Sequence, residues 1–384
     1  VTERQQTHFI GTLEKDDEGY MVSLSSPNNH QPITVAAENV KALNAKPGYP
    51  VKVDIIDWPT QHEFATGKII NVMDDDNDRE VIIETTLLNY DIPSDFGAGV
   101  LKQANSYKEP TEQEMKGRTD IRHLPLVTID GEDSRDFDDA VYAEKRPGGN
   151  YRVVVAIADV SHYVTPNSAL DHEAFDRGTS VYFPHHVVPM LPEVLSNGLC
   201  SLNPGIDRLC MVADIKLSRA GNITGYEFYP SVMHSQARLT YNQVNDYFDG
   251  NMQNVPDSLT GNKDVKKSVD TMHQLYKVLV KKREERNAME FETPETYIKF
   301  NEEGGIDAIV PRTRGDSHKL IEELMLLANT CAANFALKYE LPVLYRNHDK
   351  PDSEKSRMVH EYAKNFGIGF PEENPAQADY KRII

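Results

Sequence analysis

The stretch Thr128-Ile129-Asp130-Gly131-Glu132-Asp133-Ser134-Arg135-Asp136-Phe137-Asp138-Asp139-Ala140 constrains this chain more than any other. It sets six carboxylates within ten residues against one arginine. A like-charge pair at about 4 Å costs roughly 4 kcal/mol at an effective dielectric near 20, so such groups converge only around cations or by taking up protons. A solvated acidic loop is the plain alternative, and the flanks argue against it. Leu124-Pro125-Leu126-Val127-Thr128-Ile129 leads in as a buried strand, and Ala140-Val141-Tyr142-Ala143 leads out as another.

Fully extended, Asp130 to Asp139 would span roughly 30 Å, too long for one site, so the segment must fold back. Gly131 and Ser134 permit the turn, and Asp136 and Asp138, two apart, can share a face with Asp130 and Asp139. Hard oxygen ligands without accompanying His or Cys select Mg²⁺ or Mn²⁺ over zinc. The stretch lacks the D-x-D-x-D run with Gly at the sixth position that a calcium loop needs. Clustered carboxylates for Mg²⁺ point to phosphoryl chemistry.

With 384 residues the chain can hold two or three domains. Its 41 basic and 60 acidic residues give a formal charge of −19, which argues against a simple electrostatic nucleic-acid binder. An enzyme that encloses its strand in a narrow basic channel is still compatible with an acidic exterior. Cys200, Cys210 and Cys331 have no C-x-x-C or His spacing and read as reduced core residues, which fits a cytoplasmic location. No apolar run of about 18 residues marks a membrane span, and no signal peptide is present. The chain starts at Val1 and stops at Ile384 without a closing element, and reads as a fragment.

Residues 1–73 read as all-β, with five short alternating segments that suit an OB-type barrel. Phe9, Tyr20, Trp58 and Phe64 could stack on bases, although packing explains each as well. The run Asp74-Asp75-Asp76-Asn77-Asp78 reads as a solvated linker, since Arg79 stands where a calcium loop needs Gly. Residues 74–120 form a connecting segment in which Glu109 to Glu114 resembles a helix start. Tyr151 to Val160 is too apolar for a strand with a wet face. Met211–Ser218 and Ile223–Pro230 suggest a hairpin, and helices are expected before Arg283 and over His318–Asn329.

Taken together, Thr128–Ala140, Val155-Ala-Ile-Ala-Asp159, Arg177-Gly-Thr-Ser-Val-Tyr182-Phe-Pro184, Pro189-Met-Leu-Pro192, Leu195–Asn203 and Ile321-Glu322-Glu323–Asn329 resemble the RNB catalytic domain of the ribonuclease II family, on its bacterial ribonuclease R side. The likeness covers about 120–384, and 1–73 resembles the family's second cold-shock domain. The expected fold is therefore α+β: an OB-type barrel, then a larger mixed α/β catalytic domain over 121–384, apparently truncated. The resemblance implies a Mg²⁺-dependent (one or two ions, with Mn²⁺ as a possible substitute), processive 3′-to-5′ exoribonuclease. It would release nucleoside 5′-monophosphates from single-stranded RNA and from structured RNA with a 3′ overhang, as a monomer.

By position in the motif, Asp130 and Asp139 are implied as direct metal ligands. Asp138 would be a second ligand or orient the attacking water, with Asp136 in support. Tyr182 matches the tyrosine that packs the terminal nucleotide, and Tyr241 a second site tyrosine. One of Glu322 and Glu323 would contact the terminal ribose, and His318 reads as a structural partner. The family's catalytic arginine, its S1 domain and its first cold-shock domain are not in these residues. Two other readings stand beside this one: a different two-metal exonuclease built on Asp130-Gly131-Glu132, and a non-catalytic RNA-binding module on a nuclease scaffold.

Overall fold

In the computed structural model, the described residues are 7–24, 31–60, 63–73, 78–184, 186–289, 295–301, 305–312, 314–347 and 349–383. The acidic run of 74–78 lies outside them, apart from the backbone of Asp78. Contacts group the chain into two compact units, Val1–Lys102 with Ala169–Leu191 and Gln103–Ser168 with Pro192–Ile384.

Along the chain run β1 (His8–Lys15), β2 (Tyr20–Leu24), β3 (Ile33–Val35), α1 (Ala37–Ala42), β4 (Pro50–Asp57) and β5 (Ala65–Val72). They are followed by α2 (Asp78–Asn89), α3 (Ala98–Ala104), α4 (Glu112–Met115), β6 (Thr119–Asp120), β7 (Val127–Asp130), β8 (Asp139–Lys145) and β9 (Tyr151–Ala158). Next come α5 (Val160–Tyr163), α6 (Ala169–Arg177), β10 (Val181–Phe183), β11 (His186–Val188), a π-turn (Val194–Leu199), β12 (Asp207–Leu217), β13 (Ile223–His234) and β14 (Ala237–Thr240). The remainder is helical except for one hairpin: α7 (Tyr241–Asp249), α8 (Asp257–Thr260), α9 (Lys263–Glu285), β15 (Glu295–Phe300), β16 (Ile306–Arg312), α10 (Asp316–Lys338), α11 (Ser353–Asn365) and α12 (Gln377–Lys381).

In the first unit, the five expected strands close into a barrel in the order β1-β2-β3-β5-β4. Alternation buries Leu13, Val22, Ile33, Val51, Val53 and Ile69 inside it. Gly67 has no room for a side chain, because a Cβ there would come within 2.6 Å of Val53 and 2.7 Å of Ile33. The passage holding the Arg177–Pro184 and Pro189–Pro192 motifs contains the two-stranded β10–β11 pair. Val181, Phe183 and Val188 from that hairpin cluster with Ile83 and Leu87 of α2. Arg177 fastens this unit internally. Its guanidinium pairs with Glu173, donates to the carbonyls of Pro93, Asp95 and Pro189, and lies 3.8 Å from the Phe96 ring centroid.

The second unit is built on a seven-stranded sheet of order β14-β7-β8-β9-β12-β13-β6. The strand expected to lack a wet face is β9, which is hydrogen-bonded on both sides, to β8 and β12. The expected hairpin is β12–β13, longer than its apolar core alone indicated. α9 and α10 lay Val269, Met272, Leu275, Leu320, Ile321, Leu324 and Cys331 against the sheet face formed by β7, β8, β9 and β12. Helix α10, 23 residues long with an 18-residue window of mean hydropathy 1.3, is long and apolar enough to be compared with a membrane span. Its buried stripe and internal acidic residues are those of a core helix. The expected helix start near Glu112 is α4, where Thr111 and Glu114 cap each other in a reciprocal box. All three cysteines are buried and unpaired.

Candidate active site

The acidic stretch is the connection between two buried strands of the second unit. β7 delivers Asp130 opposite Thr240 of β14, and β8 begins at Asp139 opposite Ile157 of β9. The intervening loop folds back as Gly131 allows: Ser134 N–H donates to the Gly131 carbonyl, and Gly131 N–H donates to Asp130 Oδ1 at 2.6 Å. The Ser134 hydroxyl lies 3.0 Å from Asp130 Oδ2 and 3.3 Å from Asp136 Oδ1, so its single proton serves two carboxylates.

The electrostatics follow from this crowding. Burial pushes the Asp139 carboxyl up to about 6, and Asp130 and Asp138 add to the shift. Asp138 is reached by solvent, yet its carboxyl is also raised, first by desolvation and then by Asp136 and Asp130. Asp139 thus senses Asp130 and Asp138, and Asp138 senses Asp136 and Asp130. Asp139 Oδ2 is buried without a hydrogen-bond partner among the described residues.

An orphaned carboxylate oxygen among further hard oxygen donors fits a divalent cation of the Mg²⁺ or Mn²⁺ type. Among the described residues, no three His, Cys, Asp or Glu side chains stand as a ready-made cage. Mg²⁺ is usually held by one or two carboxylates, with water and phosphate oxygens completing its octahedron. Beside the loop, Ser134, Arg135, Phe137, Asn197, Asn203 and Arg238 line a hollow of about 540 Å³.

Tyr241 opens α7 immediately after Thr240, the residue opposite Asp130 in the β7–β14 ladder, and it packs partly against the core of the second unit. Its ring stacks on His318 at 4.0 Å with a 16° tilt. His318 Nδ1 accepts from Gly315 N–H at the start of α10, the structural role expected of it. Glu322 and Glu323 occupy a different electrostatic setting. Glu323, 4% exposed, receives a hydrogen bond from Arg283 at 2.8 Å, and the same guanidinium nitrogen reaches Glu322 at 2.8 Å. Arg314 donates to the other oxygen of Glu322 at 2.6 Å. Burial works to raise Glu322, but Arg283 and Arg314 outweigh it and hold the carboxyl below its ordinary value.

Sequence reading missed both arginines. Arg283 lies in the last turn of α9 with Lys282, and it meets Glu323 across 40 residues of chain. Tyr182 lies on β10 in the first unit and is 64% exposed. Phe9 and Tyr20 pack partly onto the barrel core. Phe9 also stands edge-on to Trp58 at 6.4 Å, and the Lys15 ammonium sits 5.4 Å from the Tyr20 ring. Phe64, in contrast, is 56% exposed.

The RNB domain family model matches residues 118–383, which span the acidic loop, the sheet and α10. The chain belongs to the RNB family. A cold-shock domain model matches residues 22–97, within the first compact unit. Ribonuclease R of Escherichia coli is 47% identical over 344 residues, covering 89% of this chain and 42% of the relative. Ribonuclease R of Thermotoga maritima is 37% identical over 373 residues, covering 96% of this chain and 51% of the relative. The chain thus spans about half the length of the curated relatives it matches. Among solved structures, Mycoplasma genitalium RNase R in complex with ribose-methylated single-stranded RNA superposes with a TM-score of 0.88 at 27% identity. That alignment covers 100% of this chain and 60% of the other.

Proposed function

We propose that this chain carries the catalytic machinery of a 3′-to-5′ exoribonuclease that hydrolyses RNA to nucleoside 5′-monophosphates. In this reading, residues 1–73 form an RNA-binding barrel, 74–120 a connection, and 121–384 the catalytic RNB part. The observation that carries the reading is the intact aspartate loop: four mutually repelling carboxylates held on backbone between two buried strands, with the Asp139 carboxyl raised and one of its oxygens orphaned.

Asp130 and Asp139 would hold a divalent cation, Mg²⁺ or Mn²⁺, with Asp138 and Asp136 completing the negative surround. When bound, the ion supplies Lewis-acid stabilisation of the phosphate and lowers the pKa of water. Asp138, exposed and with its carboxyl raised by desolvation and by Asp136 and Asp130, would be a second ligand or would orient the attacking water. Tyr241, stacked on His318, would supply an aromatic surface for the terminal nucleotide. Tyr182, 64% exposed on β10, is proposed as a second stacking surface. Phe9 and Tyr20 would contact RNA on the barrel through their exposed portions. Of the two glutamates, Glu322 is the candidate for the terminal 2′-hydroxyl, because Glu323 is buried against Arg283.

The proposed substrate is single-stranded RNA, or structured RNA entered from a 3′ overhang. The Mycoplasma relative is solved with single-stranded RNA and, in a second structure, with double-stranded RNA. A cytoplasmic, monomeric, processive enzyme is the form proposed. The test is incubation of the protein with a 5′-labelled oligoribonucleotide with and without Mg²⁺. Stepwise shortening that requires the ion is expected, and internal cleavage or metal-independent shortening would overturn the reading.

A further inference from the structure

The aspartate loop makes few backbone hydrogen bonds to itself, yet it is held at both ends by side chains from distant parts of the sequence. Ser201, fully buried, accepts from Phe137 N–H at 3.0 Å and donates to the Arg135 carbonyl at 2.8 Å, so one hydroxyl grips the backbone on either side of Asp136. Leu202 N–H then donates to the Phe137 carbonyl, and Ala158 N–H to the Asp138 carbonyl, both at 2.9 Å. Ser201 is itself fixed, because its carbonyl accepts from Arg208 Nε at 3.0 Å, and Arg208 is 2% exposed and paired with Glu109.

On the other side of the loop, Arg238 projects from β14. Its Nη2 donates to the carbonyls of Glu132 at 2.8 Å and Ser134 at 3.2 Å, and its guanidinium lies 5.0 Å from the Phe137 ring centroid. Asn242, the second residue of α7, donates to the Glu132 carboxylate at 2.8 Å. Four like charges would spread the loop if its backbone were free. Neutral carbonyls tied to Arg238, and a peptide N–H and carbonyl tied to Ser201, resist that spreading without neutralising any aspartate.

We propose that Ser201 and Arg238 are positioning residues that preset the Asp130–Asp139 loop for a divalent cation. Neither is itself a ligand. This rests on the metal-holding reading of the loop, and it explains how the aspartates stay together when no ion is bound. Outer-shell partners of this kind typically govern metal affinity by about ten- to a hundred-fold.

The experiment is titration of Mn²⁺ into the intact chain by calorimetry, with the bound-ion electron paramagnetic resonance spectrum as a second readout that does not depend on turnover. Arg238→Met keeps the length of an exposed side chain and removes its donors, so the fold should persist, while Mn²⁺ affinity should fall about ten-fold or more. Arg238→Lys should restore part of the loss, because an ammonium reaches one carbonyl where the guanidinium fork serves two. Ser201→Ala, which strips partners from two buried backbone groups, should lower both affinity and melting temperature. Wild-type affinity in Arg238→Met, with an unchanged bound-ion spectrum, would overturn the positioning role alone. A wild-type chain that takes up no Mn²⁺ would overturn the metal reading and the positioning role together.

Discussion

Two clusters of carboxylates sit in the second unit of this molecule, and the protein treats them in opposite ways. Glu322 and Glu323 on α10 are answered from within the chain: Arg283 bridges both, Arg314 takes a second oxygen of Glu322, and the Glu322 carboxyl is held low. Asp130, Asp136, Asp138 and Asp139 are answered by backbone N–H, a shared hydroxyl and each other, and the Asp138 and Asp139 carboxyls are pushed up. A carboxylate group that the chain neutralises is structural in its resting state. In the proposed reading, the aspartate group is the one that would receive a cation from outside.

That contrast can be broken in several places. The largest effect is expected at Asp138. Asp138→Asn should cut hydrolysis by roughly a hundred- to a thousand-fold, the usual cost of deleting one group that acts on developing charge. RNA affinity measured by fluorescence anisotropy should hardly change, because little contact area is lost. Unaltered turnover would remove Asp138 from the site.

Next in size is the answered cluster. Arg283→Met should destabilise the chain by about 3 kcal/mol in denaturant melts, since it leaves buried Glu323 without its cation. A loss below about 0.5 kcal/mol would mean that the pair behaves like a surface bridge. This loss should not be recovered by Mg²⁺.

The two clusters should also have opposite pH dependence. A carboxyl whose pKa is raised in the folded state favours folding below its unfolded value of 3.8, and that advantage disappears as pH rises through about 6. Asp139 thus makes the metal-free chain less stable at pH 8 than at pH 5. Glu322, held low, favours folding above its ordinary 4.5 and loses that contribution as acid protonates the folded carboxyl. Saturating Mg²⁺ should therefore raise the melting temperature by about 5 °C at pH 8 and by much less at pH 5. An equal increment at both pH values would contradict this linkage. The smallest effect concerns the sugar. A 3′-terminal deoxynucleotide should slow cleavage several-fold if Glu322 accepts from the 2′-hydroxyl, a loss of about 1 kcal/mol, and equal rates for the two sugars would remove Glu322 from that role.

What could be read from the residues divides along the same line. The barrel strands, β7 and β8 flanking the acidic loop, the β12–β13 hairpin and the two long helices were legible because each writes its own period into neighbouring residues. β15 and β16 were not, since outward-facing Tyr297, Ile306 and Ile309 blur the alternation. The aspartates were visible as a local excess of charge. Arg283, Ser201 and Arg238 were invisible because their partners lie across the fold, and a buried serine bonded to two peptide groups leaves no pattern in sequence. The packing of residues 169–191 with the first unit is likewise a tertiary fact with no local signature.

The central claim is that the aspartate loop is held together unneutralised until a cation arrives. Titrating the Asp139 side-chain carboxyl by carbon-13 NMR, assigned with Asp139→Asn, tests it directly. Without divalent metal the carboxyl should titrate near 6, and saturating Mg²⁺ should move the midpoint well below its ordinary 3.8. An ordinary midpoint in the metal-free chain that Mg²⁺ leaves unmoved would contradict the account.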